Sequence, residues 1–214
     1  MGLLEKETYL NKRYLPLFLA GALVVSGSGT RAFAQTDSPM NKSVPAADKT
    51  PPSYDMKPQS LLDLEDMQKK FVTLAQAIPA EKYTWRPSEG VRSISEVFLH
   101  VAGLGFQMAP VLGATREPGF KMDSFEKSTT QKTEVIAQLD RSFHYVQAAI
   151  EKMTNADFQN PEKQFGPQAN AGDIVYLIVV DDHEHLGQSV AYARVNGIVP
   201  PWTAEKMKHK QPEK

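Results

Sequence analysis

The 214 residues, 41% hydrophobic and 23% charged, lie close to the globular norm and exclude a wholly disordered or fibrous chain. The near balance of 24 Lys and Arg against 25 Asp and Glu leaves no basic excess of the kind that nucleic-acid binding needs. With no cysteine there is no disulfide scaffold, thiolate metal site or thiol nucleophile, so metal chemistry falls to His and carboxylates.

Residues 1–34 read as a secretory signal peptide. Lys12-Arg13 precedes an apolar run from Leu15 to Val25, and Ala32-Phe33-Ala34 supplies the small-residue cleavage pattern, with Gln35 as the new N-terminus. The run is about half of the ~20 residues that span a bilayer. The expectation is therefore an exported protein, periplasmic or secreted, with no stable membrane span after cleavage; an uncleaved anchor is the rival reading. Residues 35–58 are rich in Pro, Ser, Thr, Asp and Lys without an apolar period, and read as a flexible linker whose ordering entropy nothing offsets. The folded domain is expected over 59–205, followed by a disordered tail, 206–214.

Within 59–205 the periodicity predicts four helices. The first starts near Ser60, carries Leu61, Leu64, Met67, Phe71, Leu74 and Ile78 at spacings of three and four, and ends at Pro79. A capping box, Ser93-x-x-Glu96, opens the second, whose apolar stripe is Ile94, Val97, Phe98, Val101 and Leu104. The third lies between about Thr129 and Met153. The fourth begins near Asn170 or Gly172 and stops at Asn196-Gly197, with Pro200-Pro201 beyond as a stop signal. No stretch sustains a period of two. The fold class expected is all-α: helices of this length hide their stripes by facing one another, as a four-helix bundle. The long connections between the first and second helices and between the third and fourth leave room for a crossover.

Polar residues on the inward faces are the informative ones. His100 shares its face with Val97 and Leu104. In the fourth helix the inward stripe is read as Ile174, Ile178, Asp181, His185, Gln188, Tyr192 and Val195, which puts Asp181 and His185 one turn apart. Two imidazoles and a carboxylate then point into one interior. They form either a structural polar network or a divalent-metal site in the bundle core, and three protein ligands leave a coordination position open for water or substrate. His183 lies about 200° from His185 by way of two helical steps and cannot chelate the same ion. His144 is read as solvated, His209 as part of the tail, Arg194 as a surface partner, Gly187 as a point of close helix approach, and Trp85 and Trp202 as caps on the bundle ends.

The stretches YTWRPSEGVRSISEVFLHVAG and HEHLGQSVAYARVNGIVPPW resemble the DinB-like (YfiT-like) family of metal-dependent enzymes, and the likeness extends over most of residues 60–202. The resemblance implies a four-helix bundle in up-down-down-up order with three metal-ligating histidines, one in the second helix and two, four residues apart, in the fourth. Position by position these fall on His100, Asp181 and His185, so that one family histidine is replaced by Asp181. The implied cofactor is a divalent metal ion, zinc or nickel first, with iron or manganese as further choices for two His and one carboxylate. Some relatives are thiol-dependent transferases or isomerases, whose cytoplasmic thiols fit poorly with export. The expected function is a metal-dependent hydrolase or transferase acting on a small-molecule substrate, with Asp181, Glu184 and Tyr192 as candidate proton handlers and no catalytic residue assigned. A non-catalytic, metal-free bundle with a binding or stress-associated role is the alternative, and a homodimer is compatible with either.

Overall fold

A computed structural model of the chain describes residues 55–208. The signal segment, the linker up to residue 54 and the tail from residue 209 lie outside the described residues. Six α-helices are present among the described residues: α1 Met56–Ala77, α2 Ile94–Met108, the short α3 Met122–Phe125, α4 Lys132–Lys152, α5 Ala171–Val195 and α6 Pro201–Lys208. Among the described residues there is no strand, only a single bridge between Pro161 and Asn170.

Local chemistry sets the helix boundaries. The Asp55 side chain accepts from the Lys57 N–H and starts α1 a few residues earlier than the composition of the linker suggests. Ser93 and Glu96 form the expected reciprocal box at α2, and Asn170 with Asp173 forms a second one at α5. Gly113 (φ +94) closes the 3₁₀ turn that continues α2, and Gly197 (φ +77) follows the end of α5, both in the left-handed region that glycine enters without a Cβ penalty. Pro201 stands at the first position of α6, where its missing N–H is no loss. The Pro-Pro pair therefore separates two helices, and 206–208, expected in the tail, are helical.

The interior is built largely from the predicted stripes, joined by Leu99 and Val175, which those stripes left out. Leu64, Met67, Phe71 and Leu74 of α1, Phe98 and Leu99 of α2, Leu139 and Ile150 of α4, and Ile174, Val175 and Ile178 of α5 are buried in one cluster. The α1 helix packs on α4 and α5, and so does α2. Lys57, at the start of α1, donates to the carbonyls of Glu151 and Met153 at the end of α4, while Lys132 at the start of α4 donates to those of Gln76 and Ile78, so α1 and α4 run antiparallel. Ser142 of α4 donates to the Ala102 carbonyl at 2.7 Å, and a Cβ on Gly105 would meet Ser142 and Val146, so α2 and α4 run parallel. Trp85, just before α2, lies edge-on to Tyr192 near the end of α5, with centroids 5.4 Å apart, which sets α2 antiparallel to α5. The α2 helix with its continuation to Leu112 is apolar and long enough to cross a membrane by composition, but most of that stretch is buried inside the protein.

Candidate metal centre

The antiparallel contact of α2 with α5 brings His100 opposite the one-turn pair Asp181 and His185. One ligand atom from each of the three lies within 4.8 Å of the others. His185 Nε2 stands 3.6 Å and His100 Nε2 3.9 Å from the same oxygen, Asp181 Oδ1. These separations exceed a hydrogen bond, so the donors converge without bonding to one another. The two rings meet edge-to-face with centroids 4.5 Å apart. The other carboxylate oxygen, Asp181 Oδ2, is buried without a partner among the described residues.

Behind each imidazole stands an acceptor. His100 Nδ1 lies 2.6 Å from Glu126 Oε1, and the Arg92 guanidinium grips Glu126 with two hydrogen bonds of 3.0 and 3.1 Å. His185 Nδ1 lies 2.8 Å from Gln188 Oε1, and Gln188 Nε2 donates to the Tyr192 hydroxyl at 3.0 Å. Glu126 follows the short α3 and Arg92 precedes α2, so neither lies on an amphipathic stripe. The sequence pattern gives no sign of either. Gln188 was on the predicted stripe without a role.

The expected placement in the core needs correcting. The side chains of His100, Asp181 and His185 keep 16%, 21% and 12% of their exposure, so the cluster is half-buried between α2 and α5. The predicted α5 stripe is rotated: Val195 is 74% exposed, and the buried polar positions are Asp182, at 2%, and Ser189. Asp182 faces Leu64, Val101, Phe143, Val146 and Ile178, and its Oδ2 has no partner among the described residues. Burial pushes its carboxyl well above the ordinary carboxylate range, and neighbouring Asp181 adds to the shift. For Asp181 burial also raises the value, opposed by His185 and His100. At Glu126 burial works in the same direction, but the hydrogen bonds from Arg92 and His100 outweigh it and hold the carboxyl below its usual range.

The remaining candidates fall elsewhere. His183 and Glu184 are exposed, and His144 of α4 is exposed beside Asp140 and, from α1, Gln68. Gly187 faces open space rather than another helix, and Arg194 is exposed. Tyr192 is buried. Trp85 and Trp202 both pack partly buried against the core.

Two imidazole nitrogens and a carboxylate oxygen are a donor set for a borderline divalent ion, and Asp181 Oδ2 is a buried polar atom with no hydrogen-bond partner among the described residues. The residues present therefore fit such an ion.

Comparison with known proteins bears on the family and the fold. A family model described as the DinB superfamily matches residues 63–189. A crystal structure of a DinB-like protein from Bacillus cereus ATCC 10987 superposes with a TM-score of 0.58 at 14% identity, covering 66% of this chain and 93% of that one, a likeness of fold. A search of curated proteins gives no match.

Proposed function

The chain belongs to the DinB superfamily, and on that premise we propose that it is an exported metal-dependent hydrolase or transferase acting on a small molecule. The reading takes α1, α2, α4 and α5 as the up-down-down-up four-helix bundle, supported by the pairwise directions of these helices. The signal-like pattern of residues 1–34 supports export, with no nucleic-acid partner and no stable membrane span after cleavage.

One observation carries the metal reading: three ligand atoms converge on a common space at distances too long for hydrogen bonds, and the carboxylate among them has an unpartnered oxygen. His100 Nε2, His185 Nε2 and an Asp181 oxygen would hold the ion, zinc or nickel ahead of iron or manganese. When bound, such an ion supplies Lewis-acid chemistry with a position left open for substrate. The protein's part is to hold the three donors in place and to keep the site half-sheltered from water between α2 and α5.

Metal content of the untagged protein, measured by plasma mass spectrometry, tests this. About one equivalent is expected in the native chain by the three-ligand argument. Asp181→Ala should lose it, and Asp181→His should keep or strengthen it. A native chain that takes up no zinc, nickel, manganese or iron(II) overturns the reading. If only Asp181→His then binds, the aspartate marks a site this chain no longer uses.

A further inference from the structure

We propose that Glu126, anchored by Arg92, is a positioning residue for His100: it fixes the ring with the proton on Nδ1, so that the Nε2 lone pair faces Asp181 and His185. A neutral imidazole carries its proton on either nitrogen, and only the tautomer protonated at Nδ1 leaves Nε2 free to ligate. An ionised carboxylate can only accept, so the 2.6 Å contact between His100 Nδ1 and Glu126 Oε1 requires Nδ1 to donate. Arg92 fixes the carboxylate in turn, donating from Nε to Oε2 and from Nη2 to Oε1. An imidazole backed by a carboxylate is oriented and made a more basic ligand at its far nitrogen. His185 has the same arrangement with a weaker acceptor, the neutral amide of Gln188.

The fold shows how Glu126 is delivered. Gly103 lies one turn beyond His100 on α2, and α3 rests there. A Cβ at Gly103 would stand 2.5 Å from Met122 Sδ and 3.2 Å from Phe125 Cδ1. Phe125 also lies edge-on to Phe106, with centroids 5.6 Å apart. Glu126 is the next residue, so the connection between α2 and α4 sets one carboxylate behind one histidine.

The proposal rests on the metal-site reading for its consequence and on hydrogen-bond geometry for its content, and the experiment separates the two. Long-range nitrogen–proton NMR of the imidazoles in the metal-free, full-length chain reads the tautomer of each histidine. In the native chain His100 should be protonated at Nδ1. In Glu126→Ala it should shift toward the Nε2-protonated form while His185 stays unchanged, and Gln188→Ala should do the converse. Glu126→Gln, which keeps an acceptor without its charge, should hold the tautomer and guards against a misfolded alanine variant. Zinc(II) affinity by competition titration should fall about 10–100-fold in Glu126→Ala and less in Glu126→Gln. An unchanged His100 tautomer in Glu126→Ala overturns the proposal even if zinc binding is lost. A native chain that takes up none of zinc, nickel, manganese or iron(II) overturns the metal-site reading, and the tautomer comparison still decides the role of Glu126.

Discussion

Asp181 and Asp182 are adjacent on α5, and the 100° between them separates two regions of the molecule. Asp181 looks toward α2, where two hydrogen-bonded chains, Arg92–Glu126–His100 and His185–Gln188–Tyr192, end on the two imidazoles that face it. Asp182 looks into the apolar interior, where its Oδ2 meets no partner among the described residues. Burial alone does not single out a carboxylate that stands among oriented polar partners. Asp182 is the more buried of the two, and desolvation acts on both. What sets Asp181 apart is the number of groups whose orientation is fixed around it.

Substitutions in the interior should move stability and leave the zinc affinity of the folded protein alone, which would sharpen that contrast. The largest effect is expected at Phe71, fully buried against the rings of Phe98 and Phe143: Phe71→Ala should cost about 3–5 kcal/mol in denaturant unfolding. Gly105→Ala should cost about 1–3 kcal/mol, because the new methyl group would run into Ser142 and Val146 where α2 and α4 approach. At Asp182 the sign reverses. Asp182→Leu removes a buried carboxyl whose Oδ2 has no partner among the described residues, beside Leu64, Val101, Phe143 and Ile178, and should stabilise by about 1–3 kcal/mol. A loss of stability there would break the contrast, since it would mean that the carboxyl makes a bond of its own.

The smallest effect concerns acid. Burial opposes ionisation of Glu96, but hydrogen bonds from Ser93 and Arg86, with the Arg86 charge, outweigh it and hold the carboxyl below its ordinary 4.5. The unfolded chain therefore binds this proton at higher pH than the folded one. The stability from Glu96 is present above 4.5 and is lost as pH falls through the folded value. Unfolding midpoints followed downward from neutral pH should show a shallower acid limb in Glu96→Gln than in the native chain, and Ser93→Ala should lower stability throughout by about 1 kcal/mol.

The long helices were legible because each buries one face, and a period near 3.6 survives in the sequence wherever that is true. The same rule brought His100, Asp181 and His185 together. It did not give the rotation of α5: the pattern holds apolar and polar residues on both sides of the stripe, and it favoured Asp181 over the more buried Asp182. Glu126 and Arg92 were not legible, because they reach His100 and each other across 26 and 34 residues from segments without periodicity. Helix α6 was missed because Pro-Pro serves equally well to end one helix and to begin another.

The pairing of the helices has a consequence for how the chain can fold. The main contacts among the four long helices join α1 or α2 to α4 or α5, so each crosses the connection at residues 113–131. Contacts this distant in sequence must close a long loop before they form, and such topologies fold more slowly than their helical content suggests. The N-terminal pair and the C-terminal pair behave as partners in an intramolecular heterodimer. Separated within that connection, each half would expose the apolar faces the other covers, and the two should regain structure only on mixing.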